Sequence, residues 1–394
     1  MKMAGVYIHI PFCRSRCIYC DFCSSTLSAK WQRPYVEALG KEMDMREKEL
    51  TEQPVTGRPA ETTSAGQERI ATLYIGGGTP SLLGSEVLHE LFDAVERYFC
   101  LSADAEITIE ANPDDVTPEW VAALHDTPVN RISMGVQSLD DEILCTLRRR
   151  HTAAQARRAV ELLQTADYTN LSLDLIYGLP GQSLKQFTSD VREVLNLDVP
   201  HLSAYALQFE EGTPLYHMLK EGKVCEADEE LSLSCYERLM DLTQEAGLEH
   251  YEISNFARPG FRSRHNSSYW TGTAYIGLGA GAHSYDGRCT RSANIGDVIQ
   301  YIEAIRKGER PTETEILSKK ERYNERVMLS LRTKEGLSLP NLEHDFGTDM
   351  RRYCERMAEP HLARERIQKK AGETLCLTRQ GLFVSDDIIS DLLV

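Results

Sequence analysis

Short runs rich in β-branched and aromatic residues alternate with helical patterns along the first 250 residues, and this alternation constrains the fold more than any other feature. The runs are GVYIHI, ATLYIG, AEITIEA, VNRISMGV, NLSLDLIYG and HLSAYALQ. Helical periodicity falls at 33–50, 86–99, 153–165, 184–195 and 229–246, the last leading into LEHYEI. Strands separated by helices pair in parallel, with the helices covering the sheet. Six strand–helix units predict an α/β fold, a partial (β/α)6 barrel of the TIM type. Its chemistry belongs at the C-terminal ends of the strands, where the βα loops gather.

A chain of 394 residues can bury such a barrel and still form a smaller domain. After position 310 the texture changes: ILSKKERYNERVMLSLRTKEGLSL is helical and amphipathic, and ETLCLTRQGLFVSDDIISDLL reads as a strand and then a helix. The expected division is a barrel over 1–250, a connecting segment over 251–310 and an α-rich, winged-helix-like domain over 311–394. That last domain mixes acidic with basic residues, which favours a structural or docking role over DNA reading. Between 51 and 68 the run TEQPVTGRPAETTSAGQE lacks apolar periodicity and reads as a mobile surface insertion.

Charge narrows the partners. With 60 acidic against 44 basic residues the chain carries −16, which repels phosphate backbones and excludes nucleic acid as an expected partner. No stretch approaches the ~18–20 apolar residues of a membrane span, and the start carries no cleavage-site pattern. The expectation is a soluble, cytoplasmic protein, with peripheral membrane contact left open.

Four of the eleven cysteines fall between Cys13 and Cys23, in the loop that follows the first strand. In a reducing cytosol a disulfide framework explains them poorly. Three readings compete. A structural zinc site would use four thiolates, but zinc knuckles usually lie well apart in sequence. Unliganded core thiols would be odd among polar neighbours. A [4Fe–4S] cluster held by Cys13, Cys17 and Cys20 fits the C-x3-C-x2-C spacing and leaves one iron open to a reactant.

Polar and glycine signals recur at the ends of the later strands. GGGTPS closes the second, with Gly77, Gly78 and Thr79 allowing close backbone approach and N–H donation. Glu110 ends the third, Gln137 the fourth with Arg149 soon after, and Asp174 the fifth. Strand ends are commonly wet, so each alone has a structural explanation. Their gathering at one end of consecutive strands points to a ligand.

C-x3-C-x2-C with Tyr19 just before the third cysteine resembles the signature of the radical S-adenosylmethionine (SAM) superfamily. The resemblance implies a cluster whose open iron chelates SAM, with an electron splitting a carbon–sulfur bond to a 5′-deoxyadenosyl radical. It also implies SAM contacts at Tyr7, Tyr19, Gly77, Gly78, Thr79, Glu110, Gln137, Arg149, Asp174 and Gln208. YIHIPFC and the C-terminal sequences are similar to the branch of oxygen-independent coproporphyrinogen III oxidases and HemW-type heme chaperones. The dehydrogenases carry a further cysteine two places after the third, where this chain has Phe22, and a longer N-terminal extension than the twelve residues before Cys13.

The segment HNSSYW matches the H-N-x-x-Y-W motif of the heme-chaperone group. By that resemblance His265, Asn266, Tyr269 and Trp270 contact heme, with His265 the candidate iron ligand and the aromatics a flat surface. Without it, a His–Asn pair beside aromatics reads as a hydrogen-bonded core cluster. His283 and Cys289 are weaker candidates for iron. Three functions remain: a heme chaperone that keeps a SAM-ligated cluster, a radical SAM oxidoreductase acting on a porphyrinogen or unknown substrate, and an iron–sulfur or zinc scaffold without SAM chemistry. Enzymatic activity stays uncertain, and decarboxylation of coproporphyrinogen is not expected. The implied partners are heme, acceptor apo-hemoproteins such as respiratory enzymes, and a flavodoxin- or ferredoxin-type electron donor.

Overall fold

The computed structural model describes residues 5–51 and 70–394. Apart from Thr51, the run expected as a mobile insertion lies outside the described residues. Six parallel strands follow one another: β1 (Gly5–Ile10), β2 (Ile70–Gly77), β3 (Leu101–Ala111), β4 (Arg131–Gln137), β5 (Leu171–Tyr177) and β6 (His201–Ala206). Each is buried along most of its length, as strands covered on both faces must be. Helices α1 (Gln32–Thr51), α2 (Ser85–Tyr98), α3 (Pro118–His125), α4 (Asp141–Thr146), α5 (Ala153–Thr165), α6 (Leu184–Asn196), α7 (Pro214–Lys220) and α8 (Glu229–Glu245) lie between and after them. Their starts are chemically specified: Thr152 with Gln155 and Ser183 with Gln186 form capping boxes on α5 and α6.

The sheet is wider than six strands. It runs β12-β11-β10-β9-β1-β2-β3-β4-β5-β6-β8-β7. Here β7 is Glu249–Glu252, β8 Asn255–Ala257, β9 Tyr275–Leu278, β10 His283–Tyr285, β11 Thr290–Asn294 and β12 Thr312–Ile316. Residues 251–310, expected as a connector, therefore build both flanks of the sheet. Strand β9 pairs in parallel with β1, opposing Gly5 to Tyr275, so the parallel portion is seven strands wide. Strands of three to five residues are too short to show a period, which is why this segment reads as a linker.

Two elements in this region matter for the site. Helix α9 (Arg264–Trp270) carries the HNSSYW segment. Seven residues do not hold a helix alone. The buried Glu106 carboxylate on β3 accepts from the backbone N–H of Arg264 at 3.0 Å and of His265 at 2.9 Å, and Ser263 caps Asn266. Helix α10 (Val298–Arg306) brings Tyr301 to a buried network with Glu42, Asn294 and the Gly279 N–H, which ties the β9–β11 segment to α1.

The C-terminal part has its own core, around Tyr323, Val327, Leu342, Phe346, Leu375 and Ile388. It comprises α11 (Lys319–Leu331), β13 (Leu337–Ser338), α12 (Leu339–Phe346), α13 (Thr348–Ala363), β14 (Ile367–Lys370), β15 (Thr374–Leu377), α14 (Arg379–Phe383) and α15 (Ser385–Leu392), with a three-stranded sheet β13-β15-β14. Main-chain bonds fasten it to β7 and the turn after it, Lys334 N to Tyr251 O and Ile253 N to Arg332 O. Leu382 and Phe383 pack on the barrel core. Among the described residues no helix is long and apolar enough to cross a membrane.

Candidate functional site

The cysteine loop is closed at its base. Phe12 bridges Ser25, the Cys13 N–H donates to Ser25 O at 2.9 Å, and the Ser25 N–H donates to Pro11 O at 2.7 Å. Within it Cys13, Cys17 and Cys20 all face one cavity of about 1230 Å³ at the C-terminal ends of the parallel strands. The Arg149 guanidinium donates to Cys17 Sγ at 3.2 Å, and Thr79 Oγ1 lies 3.5 Å from Cys13 Sγ. Burial pushes the Cys20 thiol up to about 11, so it stays protonated until a metal displaces the proton. Cys23 turns the other way: its thiol donates to the Gly296 carbonyl at 3.4 Å and sits against Gly281. Three free thiols on one loop, backed by a guanidinium and a hydroxyl, fit a cluster with three protein ligands.

A buried imidazole holds the end of this loop. His9 Nε2 lies 2.6 Å from the Cys23 carbonyl and Nδ1 3.0 Å from the Tyr7 hydroxyl. A carbonyl only accepts, so Nε2 carries the proton and Tyr7 donates to Nδ1. Tyr7, expected at SAM, is outside the cavity wall and its hydroxyl serves the loop instead. The glycine run also differs from expectation. The Gly77 N–H donates to Glu110 and the Gly78 N–H to Ile10 O, so neither is free for a ligand. What the glycines supply is clearance: at Gly77, with φ +116°, a Cβ would meet the His9 ring at 2.5 Å, and at Gly78 it would meet Pro11 at 2.8 Å.

The carboxylates lie deeper. Glu110 accepts from Tyr74 Oη at 2.8 Å and from the Gly77 N–H at 2.9 Å, and still opens on the cavity. Burial raises it to about 7, against those two bonds. Burial likewise raises Asp174 to about 6, opposed by Ser203 and the Arg131 charge. Gln137 follows a bulge in β4 and has φ +69°, a costly conformation for a non-glycine residue that the surrounding sheet holds in place. Tyr19, Thr79, Gln137, Arg149 and Gln208 all line the cavity, as do Gly77 and Gly78.

The HNSSYW residues divide. Asn266, Tyr269 and Trp270 line the same cavity as the cysteines and carboxylates. His265 does not. It is 1% exposed, with Nδ1 2.9 Å from Thr72 Oγ1 and Nε2 2.8 Å from Tyr269 Oη. Burial, with the Arg131 charge, lowers it to about 3 and keeps it neutral. His283 is exposed and Cys289 half-buried, and neither reaches the cavity.

Sequence reasoning missed Arg131, whose side chain is 1% exposed yet borders the cavity, and Arg332, Leu382, Phe383 and Asp386 of the C-terminal part. The signal for Arg131 was present: a lone charge opening an apolar strand run, NRISMGV, where burial needs a reason. For the C-terminal residues no local signal exists. Several cavity-wall groups carry enclosed N–H donors without an acceptor: Arg131 Nε and Nη1, Arg149 Nε, Arg332 Nε and Trp270 Nε1. Unmet donors of this kind cost about 1–3 kcal/mol each.

Residues 7–194 match the family model of the radical SAM superfamily, and residues 317–384 that of the HemN C-terminal domain. The heme chaperone HemW of Lactococcus lactis is 34% identical over 394 residues, covering 100% of this chain and 98% of that protein. The chain belongs to the HemW family of the radical SAM superfamily. The HemW of Bacillus subtilis is also 34% identical, over 99% of both proteins. Among solved structures, coproporphyrinogen III oxidase HemN from Escherichia coli superposes with a TM-score of 0.84 over 100% of this chain and 91% of its own, at 20% identity. That likeness establishes the shared radical SAM fold with its C-terminal domain. The oxidase and scaffold alternatives are not favoured by the full-length relatives, which carry the HemW name.

Proposed function

We propose that this protein binds heme beside a SAM-ligated [4Fe–4S] cluster and hands the heme to acceptor hemoproteins. One observation carries the reading: a single cavity of about 1230 Å³ is bordered at once by the cysteine loop, the buried carboxylates and three residues of the HNSSYW segment. Cys13, Cys17 and Cys20 hold the cluster, which when bound supplies an open iron for SAM and an electron. Cys23 takes no part, since its thiol faces Gly296. Glu110 and Asp174 offer charged acceptors to the polar groups of SAM, and Arg149 fixes Cys17 while spanning to Asn112 and the Gly135 carbonyl. The Trp270 ring gives a flat face, and the donor-rich wall of Arg131, Arg332 and Trp270 suits the heme propionates.

In this reading residues 1–250 hold the cluster and SAM, while the 311–394 region closes the cavity wall with Arg332, Leu382, Phe383 and Asp386. A flavodoxin- or ferredoxin-type protein supplies electrons, and acceptors such as respiratory enzymes draw the chaperone to the membrane surface from the cytoplasm. Heme titration of anaerobically reconstituted protein, followed by mixing with an apo-hemoprotein, tests it. The expected result is stoichiometric binding and transfer to the acceptor, with no vinyl-bearing product when coproporphyrinogen, SAM and reductant are supplied instead. Catalytic decarboxylation, or absence of heme uptake, would refute it.

A further inference from the structure

We infer that Tyr269, backed by His265, supplies the axial bond to ferric heme iron. This rests on the heme reading above and assigns the ligand within that cavity. The described cavity wall contains no histidine and no methionine. Side chains there of the types that commonly ligate heme iron are the loop thiols and Tyr19, Tyr74, Tyr177, Tyr205, Tyr236 and Tyr269. Tyrosinate is an established axial ligand for heme iron.

Hydrogen bonds distinguish Tyr269 from Tyr74 and Tyr236. Tyr74 donates to the Glu110 carboxylate at 2.8 Å, so an iron-bound phenolate there would face a second oxygen acceptor. Tyr236 donates to the Ile253 carbonyl at 2.8 Å, which cannot donate back, and reaches His250 only at 3.5 Å. Tyr269 meets an imidazole nitrogen at 2.8 Å. An imidazole accepts from a phenol in one neutral tautomer and donates to a phenolate in the other. On the far side of the ring, Thr72 Oγ1 lies 2.9 Å from Nδ1, and a hydroxyl can follow either tautomer as acceptor or donor. Ferric heme carrying a hydroxide can exchange it for the Tyr269 phenolate: the one proton the pair gives up leaves with the hydroxide as water, the imidazole then donates to the phenolate through Nε2 and accepts from Thr72 at Nδ1, and it stays uncharged.

The spacing of the motif agrees. His265 and Tyr269 stand four apart on α9, as do Asn266 and Trp270, so each pair shares a helix face. The first pair makes the hydrogen bond, and Tyr269 of that pair borders the cavity together with both members of the second. Tyr269 is also held edge-on against Tyr275, with ring centroids 4.6 Å apart.

The test compares full-length wild type with Tyr269→Phe, Tyr269→His and His265→Gln, each loaded with ferric heme and read by absorption, resonance Raman and electron paramagnetic resonance. Wild type should show a phenolate-to-iron charge-transfer band and phenolate vibrations. Tyr269→Phe, which keeps the ring that packs on Tyr275, should lose both and bind heme roughly tenfold to a hundredfold more weakly. Tyr269→His should bind heme with an imidazole spectrum in place of the phenolate one. His265→Gln, whose amide can still donate to the phenolate, should keep the phenolate signature at reduced affinity. Reduction with dithionite adds one electron to the iron, breaks the iron–phenolate bond and returns a proton to Tyr269, so ferrous heme should dissociate about tenfold more readily from wild type than from Tyr269→His. An imidazole spectrum in wild type that survives in Tyr269→Phe and vanishes in His265→Gln would overturn the assignment and leave the chaperone reading standing. Failure of wild type to take up heme at all would overturn that reading itself.

Discussion

Glu110 is a carboxyl that the fold would rather keep protonated. Burial raises it from its ordinary 4.5 to about 7, so the folded state binds its proton more tightly than the unfolded chain does. For an acid shifted upward the stability cost grows as the pH climbs from 4.5 and is complete above 7, where it amounts to on the order of 3 kcal/mol. Glu110→Gln, which can still accept from Tyr74, should therefore raise the unfolding free energy of the cofactor-free protein at pH 8 and change it little at pH 4.5, by urea titration. The same variant should bind SAM at least roughly tenfold more weakly, because a charge-assisted hydrogen bond is lost. An equal gain at both pH values would show that burial of the charge is not its source. At this scale the sequence was partly legible. Glu110, next to the end of β3, was legible by its position, whereas Asp174, expected at the end of β5, sits at its middle. The role of Tyr7 was not legible, because its partner His9 lies two residues away on the same strand and only the folded loop shows what that imidazole holds.

Among the elements, α9 shows how a short helix is made by its surroundings. Its first N–H groups are satisfied by Glu106, from a strand that ends more than 150 residues earlier. Glu106→Ala should cost about 0.5–2 kcal/mol, as loss of a cap does, and should weaken heme binding while leaving the iron and sulfide content of the cluster unchanged. Thermal unfolding, heme titration and iron analysis of the one variant check all three; loss of the cluster as well would mean that Glu106 supports the whole barrel rather than α9. The long helices α1, α2, α5, α6 and α8 lie within one or two residues of where periodicity places them, since many residues share one apolar face. Helices α3, α4, α7 and α9, of six to eight residues, escaped that reading because two turns hold too few apolar repeats. The start of α3 did carry a cap signal in Thr117 followed by Pro118.

At the scale of the whole molecule, the barrel and the C-terminal part have separate cores that meet where the cavity opens. Phe383 packs on the barrel core, 6.4 Å from Tyr236 between ring centroids, and also borders the cavity. Arg379 holds the same edge by an ion pair with Asp241 at 2.6 Å. Phe383→Ala should lower stability by roughly 1–3 kcal/mol, less than a fully buried phenylalanine, and weaken heme binding while SAM binding persists. Calorimetric titrations with each ligand check this, and unchanged heme affinity would remove the C-terminal part from the site. The order of strands and helices, the three-thiol loop and the α-rich ending are properties of neighbouring residues, so the sequence by itself determined them through periodicity, turn chemistry and ligand spacing. Two things were decided only by tertiary structure: that 251–310 belongs to the sheet, and that His265 is enclosed while Tyr269 faces the cavity. Both depend on contacts such as His265 with Thr72, 193 positions apart, and a hydrogen bond formed across such a span leaves no mark on the residues beside it.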